Sequence, residues 1–456
     1  MLDATYLRSY TKHMSHRRIM LFILLLLASL LAACSPGHVG GNEIAFLRDG
    51  HLWTMDPDGA NAFEVVVDTT PVIGYGWSPT HQILTYRTLD PDYAKTVTAQ
   101  SLVMNPFTEM FGDVPGSENT IGIDGGSPIP ILFSSQDVQV SNAWWNASGN
   151  RLLYREEPTT SSTTATTALW WISQNDQPGG IARKLFPSTF SIPSIAANNS
   201  MMIGNSYRGM YTTALDGTNM KFIISGKLPG HPLPATLERI LLQPAHAQPV
   251  ILYVISSAAT GSFSTSPLSV QLTMSDIHGQ TTTLATCTCS QFAWSPDGNN
   301  ILYSTGATYT LVRLSDKSSF SITAEGGSMP YWSPDSRFLL LDGVHSLTLL
   351  NLTNQQLHVL LSDAETQGNN TPPIAGTSAL LQPLSNNLWA TDSRHFLFLT
   401  RGRLLWQNKS LSSGKGLYTV AIDDHGQPQG TPTLVDAGDD TQAGWTYEDP
   451  NTSFLF

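Results

Sequence analysis

Trp294-Ser295-Pro296-Asp297-Gly298, followed by Ile301-Leu302-Tyr303, is the stretch on which the fold of this chain turns, because it recurs. Trp332-Ser333-Pro334-Asp335-Ser336 leads into Phe338-Leu339-Leu340-Leu341, and Trp77-Ser78-Pro79 leads into Ile83-Leu84-Thr85-Tyr86. Looser copies keep the same order: Trp145 before Asn150-Arg151-Leu152-Leu153-Tyr154, and Trp389 with Asp392 before Phe396-Leu397-Phe398. Self-similarity of this kind marks a repeat architecture. Each copy describes a β-hairpin. A large aromatic ends one strand, Pro sets φ at the first turn position, and Asp bonds the backbone two residues on. Gly then supplies the positive φ, and a β-rich run returns. The Asp is therefore read first as a turn residue, ahead of any role as an acid or a metal ligand.

A second turn follows each hairpin. Asp58-Gly59 lies between Leu52-Trp53-Thr54-Met55 and Val65-Val66-Val67, and Asp216-Gly217 between Tyr211-Thr212-Thr213-Ala214 and Phe222-Ile223-Ile224. His278-Gly279 lies between Val270-Gln271-Leu272-Thr273-Met274 and Thr282-Thr283-Leu284. Two hairpins per unit make four antiparallel strands, which is one propeller blade. The interval from Trp145 to Trp294 holds about three periods of roughly 50 residues. Two degenerate units are placed in it, at Ala196–Ile203 and at Pro244–Tyr253. The expectation is an all-β propeller of about eight blades, with seven as the alternative. The first unit starts in mid-hairpin at Glu43-Ile44-Ala45-Phe46, whereas Trp445-Thr446-Tyr447 and Phe454-Leu455-Phe456 supply a strand at the other end. Pairing that C-terminal strand into the first blade would close the ring and cover both sheet edges.

The repeat resembles the TolB-like (PD40, WD40-like) β-propeller family, whose blades carry a W-S-P-D-G-x-x-I-x-F/Y hairpin. The resemblance spans residues 43–456 and is sharpest at Trp77, Trp294 and Trp332. Thr80 stands where the family pattern has Asp, and Asn146-Ala147-Ser148 where it has Ser-Pro-Asp, which weakens those turns but not the fold. The resemblance implies the propeller. It does not carry over a partner, because propellers place specificity in variable loops on a shared scaffold.

At the N-terminus, His16-Arg17-Arg18 precedes an apolar run from Ile19 to Leu31, and Leu31-Ala32-Ala33-Cys34 follows. A basic region, a short apolar core and small residues describe a secretory signal. Leu-Ala-Ala-Cys resembles the bacterial lipobox, which implies cleavage before Cys34 and a diacylglycerol on its thiol. Met14 offers an alternative start to Met1. The expected organisation is a signal peptide over 1–33, a lipidated tether over 34–42 and the propeller over 43–456. It places a monomeric protein outside the cytoplasmic membrane, held to the bilayer through acylated Cys34. The composition agrees: 13% charged residues, 36 Gly and 28 Pro are the profile of a turn-rich β chain rather than a helical enzyme. A net charge of −12 argues against nucleic acid and against docking on anionic lipid, since both need clustered Lys and Arg.

Cys287 and Cys289 sit one residue apart, awkward for a disulfide on a straight strand but open to oxidation if the chain bends there. A metal site is not expected: the usual Cys-x-x-Cys spacing is absent and the nearest imidazole in sequence is His278. No cofactor is expected. Two stretches interrupt the blade rhythm. Residues 112–139, rich in Gly and Pro, read as an irregular loop between blades and the preferred ligand-facing element; 159–168, all Ser, Thr and Ala, read as an exposed hairpin tip.

No catalytic residue is assigned. Prolyl-oligopeptidase-type proteases share the blade pattern but append a hydrolase domain, for which this chain leaves no room. Gly204-Asn205-Ser206-Tyr207-Arg208-Gly209 misses the spacing of a Gly-x-Ser-x-Gly elbow. Glu156-Glu157 and Asp439-Asp440 are adjacent, so on a strand their side chains diverge. Carboxylates brought together across blades would leave no linear motif. The repeated Trp is expected to pack between blades; within Trp144-Trp145 and Trp170-Trp171, one ring of each should face the other way and is a candidate for stacking on a sugar. The function expected is a non-catalytic binding or scaffold module for an envelope protein, peptide or glycan. The alternatives are a hydrolase or lyase acting on carbohydrate or peptide with an acid pair at the channel mouth, and a purely structural envelope component.

Overall fold

Asp297 shows why the repeat folds as it does. Its Oδ1 accepts the Asn299 backbone N–H at 3.0 Å and the Ser295 hydroxyl at 2.5 Å, and Gly298 follows at φ +69°. Asp335 repeats the arrangement with Arg337 N at 3.1 Å and the Ser333 hydroxyl at 2.7 Å, as does Asp392 with Arg394 N at 2.8 Å. The second turns work the same way: Asp58 accepts from Ala60 N, Asp216 from Thr218 N and Asp276 from His278 N, each at 2.9 Å. The turn Asp residues are thus spent on their own backbone.

The computed structural model describes residues 42–445, apart from 96–115, 133–137, 146–151, 159–168, 173–182, 188–193, 226–235, 257–269, 364–379, 382–387 and shorter breaks. The named elements are all strands, and they form eight antiparallel sheets, the eight blades of a β-propeller. The sixth is representative: Gln291–Trp294, Asn300–Thr305, Thr308–Arg313 and Ser319–Thr323 pair in chain order. Both degenerate units are blades. Ser194–Ile195 pairs with Met202–Ser206 in the fourth sheet, and Thr236–Leu242 with Ile251–Ser256 in the fifth. In the first sheet Ile44–Arg48 pairs on one side with His51–Met55 and on the other with Asp440–Trp445. The C-terminal strand therefore enters the N-terminal blade, with Trp445 opposite Ile44 as Trp332 is opposite Leu339. Residues 446–456, also assigned to that strand on sequence, lie outside the described residues.

In the sixth sheet burial runs from the first strand to the fourth: Gln291–Trp294 is mostly buried, whereas Ser319–Thr323 alternates, with Phe320 and Ile322 turned inward. The repeated Trp fills the gap between neighbours. Trp332 packs on Leu302, Tyr309 and Leu311 of the sixth sheet, and Trp294 on Leu241, Leu252 and Leu272 of the fifth. Trp389 also donates its indole N–H to the Tyr331 carbonyl of the preceding blade at 2.9 Å.

The stretch 112–139 is not a loop between blades. Gly116–Gly122 and Gly125–Leu132 are the third and fourth strands of the second sheet, and Val138–Trp145 opens the third. Ile123 and Asp124 make the tight turn between paired Gly122 and Gly125, Gly125 and Gly126 lead out of it at φ +80° and +112°, and Pro128 and Pro130 are tolerated because this is the edge strand. The insertion lies earlier, between Leu89 and Gly116. Cys287 and Cys289 form a disulfide with a Cα–Cα distance of 5.1 Å, since the chain bends where Thr281–Cys287 ends and before the next blade begins at Gln291.

Candidate functional site

Antiparallel order puts the first-to-second and third-to-fourth turns of every blade on one face of the propeller and the second-to-third connections on the other. The first face is interlocked. Ser336 occupies the place that Gly298 has in the preceding blade, with φ +59°, and its Oγ accepts the Asp297 N–H at 3.0 Å. Ser393, again at φ +59°, accepts the Asp335 N–H at 3.0 Å. One turn further back, the Gln243 side chain donates to the Gly298 carbonyl at 2.8 Å. Arg337 and Arg394 bridge Asp335 and Asp424 over the Phe338 ring, with Arg394 Nη2 2.7 Å from Asp424 Oδ1. Burial alone would raise the pKa of Asp297, yet the hydrogen bonds from Ser295 and Asn299 hold it below the ordinary carboxylate range.

The opposite face is where blades differ. Its connection is 49–50 in the first blade, 90–115 in the second, 159–168 in the third, 257–269 in the fifth and 306–307 in the sixth. In the eighth the connection leaves its own blade: Leu404–Trp406 pairs with Gln356–Asp363 of the seventh and then with Lys409–Ser410, so that the seventh sheet has six strands.

Among the described residues, this face carries buried Asp342, Arg87 and Glu118. Asp342 ends the second strand of the seventh blade at 5% exposure. It stands three residues beyond Leu339, the residue opposite Trp332. The same place in the second blade, counted from Leu84 opposite Trp77, is Arg87, 4% exposed; in the sixth it is Ser304 and in the first Leu47. Glu325, in the link from the sixth blade to the seventh, accepts the His345 N–H with both carboxylate oxygens at 3.1 Å and the Ser346 hydroxyl at 2.8 Å. The link itself is anchored by Tyr309, whose hydroxyl lies 3.0 Å from the carbonyl oxygens of both Glu325 and Ser328. Gly343 lies close beneath, where a Cβ would meet the Glu325 carboxylate and the Ser328 hydroxyl. Burial, with the Glu325 charge adding to it, pushes Asp342 up to about 8. At neutral pH the Asp342 carboxyl therefore keeps its proton. In the second blade Glu118, cross-strand from Arg87, is 6% exposed; burial raises it to about 7 against the pull of the Arg87 guanidinium.

Sequence reasoning did not single out Asp342 or Glu325. The available signal was an acid ending the apolar run Phe338-Leu339-Leu340-Leu341, and an acid ahead of Gly326-Gly327. Among the residues it did single out, His278 is exposed, Ser206 lies in a β-hairpin with Gly209 rather than a strand-to-helix elbow, and Cys34 is outside the described residues. The side chains of Trp144, Trp170, Trp171, Glu156 and Glu157 are likewise outside. Among the described residues no group of three or more His, Cys, Asp or Glu could hold a metal ion.

No protein-family profile matches the chain, and no curated protein matches it by sequence. Solved structures do. A eukaryotic initiation factor is similar at 10% identity and a TM-score of 0.50, covering 90% of this chain and 100% of its own. The likeness is one of fold. An oligogalacturonate lyase in complex with manganese is similar at 11% identity and TM-score 0.45, over 68% of this chain and 81% of the other. A candidate TolB of Agrobacterium tumefaciens is similar at 14% identity and TM-score 0.32, over 65% and 83%.

Proposed function

We propose that this chain is a TolB-like propeller acting as a binding or scaffold module outside the cytoplasmic membrane, tethered through acylated Cys34. Its ligand would be an envelope protein, a peptide or a glycan. One observation carries the reading: among the described residues, turns of the sixth, seventh and eighth blades are hydrogen-bonded to one another on one face, while the other gathers connections as different as 49–50 and 90–115. A rigid scaffold with a variable rim binds with little ordering cost. The lipobox-like Leu31-Ala32-Ala33-Cys34 supports the tether. The test is an affinity pull-down from detergent-solubilised native membranes with the lipidated protein and a Cys34→Ser form. A partner retained by both, and lost when 90–115 is replaced by a two-residue turn, is the expected result. Retention that ignores the loop exchange would refute the assignment of the face.

A second reading rests on Glu325 and Asp342, which the fold brings together across a blade junction as a hydrolase or lyase acid pair would require. It predicts turnover of an oligosaccharide or peptide abolished by Asp342→Asn with the propeller still folded. Unchanged binding and no turnover in the parent protein would leave the first reading standing.

A further inference from the structure

Cys287 is the last residue of the outer strand of the fifth blade, opposite Val270, and Cys289 lies in the short link that reaches the sixth blade at Gln291. Their Cα atoms are 5.1 Å apart, within the ordinary span of a disulfide. The bond closes a loop with a sequence separation of 2. A cross-link stabilises a fold chiefly by restricting the unfolded chain, and does so least for the shortest loops. The joint is held together by other means. Leu241, Leu252, Leu272, Phe292, Trp294 and Ile301 form the apolar core between the two blades, and both cysteines are half-buried against its rim. Both residues are partly exposed, and the bond contributes little to what keeps the blades packed. Disulfides with those two properties are the exchangeable ones.

We propose that Cys287–Cys289 is a thiol–disulfide exchange site whose reaction partner is a dithiol, and that its opening frees the link after Cys287 while the apolar core keeps the fifth and sixth blades packed. One thiolate of the dithiol attacks either sulfur, the Cys287–Cys289 bond breaks, and the displaced sulfur leaves as a thiolate that takes up a proton. The second dithiol sulfur then resolves the mixed disulfide. Two electrons pass to the protein, which ends with two thiols, and the dithiol ends as its own disulfide. The consequence falls on the bend after Cys287, whose pairing with Val270 is the end of the outer ladder.

The experiment exposes the full chain to buffers of reduced and oxidised dithiothreitol, quenches with an alkylating agent and reads each peptide by mass spectrometry, keeping Cys34 separate. Hydrogen exchange and tryptophan fluorescence are followed on the same samples. Expected are alkylation of both Cys287 and Cys289 at unchanged fluorescence, faster exchange confined to the segment around 281–291, and reversal by oxidised dithiothreitol. A Cys287→Ser, Cys289→Ser form should show the faster exchange in every buffer. Alkylation only after denaturant exposes the core would make the bond structural and overturn the proposal. So would thiols that oxidised dithiothreitol fails to close in the native protein, a result that needs no variant to fold.

Discussion

Ser336 and Ser393 occupy a left-handed backbone position that glycine would fill at no steric cost, and each uses its hydroxyl to accept an N–H from the preceding blade. The repeat thus exchanges local comfort for a contact between repeats. Ser393→Ala keeps the backbone penalty and removes the acceptor, so the folded state should lose about 1–2 kcal/mol, read as a lower urea midpoint. Ser336→Gly removes the acceptor but relieves the backbone, and its loss should be smaller. Asp342 belongs to the same scale. Its carboxyl is held neutral in the fold up to about pH 8, against a value of 3.8 when unperturbed. The stability this lends is complete below about pH 4 and is lost as pH rises toward 8, because the unfolded chain ionises first. Asp342→Asn should flatten that slope, leaving the variant on the order of a few kcal/mol more stable than the parent at pH 8 and no more stable at pH 4. Urea titrations at the two pH values check the sign.

Among the elements, the blade junctions carry the cooperativity. Trp389 fills one of them and donates to the Tyr331 carbonyl, so Trp389→Phe leaves both a cavity and a buried acceptor; about 2–4 kcal/mol should be lost in chemical denaturation. Gly279 marks another. It sits at φ +85° and a Cβ there would collide with the Ile223 carbonyl of the fourth blade. Gly279→Ala should cost about 1–3 kcal/mol and speed hydrogen exchange in Lys221–Ser225 as well as in its own hairpin. A change that stayed within the fifth blade would show that the two sheets are not coupled there.

For the whole molecule, the first blade depends on a strand from the far end of the chain. Arg48 and Asp436 form an ion pair across the junction between the first and eighth blades, beneath which Phe46 and Trp53 stack at 6.4 Å. Deleting 440–456 removes the strand opposite Ile44–Arg48 and leaves an apolar edge open. The truncated protein should self-associate on size-exclusion chromatography, with amide protection lost first in Ile44–Met55. A truncated form that stayed a protected monomer would mean that the first blade holds without its partner strand.

The repeat hairpin, its Asp turn, the interblade Trp and the entry of the C-terminal strand were all legible in residue order, because each is local chemistry copied several times. Trp294-Ser295-Pro296-Asp297-Gly298 needs no distant residue to explain its turn. The third and fourth strands of the second blade were missed, since Gly and Pro between 116 and 132 look like a loop until the edge position and the tight turn before Gly125 explain them. Only the tertiary structure could decide what depends on residues far apart in sequence or on which face a connection falls. It put Glu325 against the turn after Asp342, set Arg87 and Asp342 at one place in different blades, and bent the chain so that Cys287 and Cys289 join. The reason is physical: turns are determined within a few residues, whereas burial, and with it the charge on a carboxyl, is determined by what the fold brings alongside.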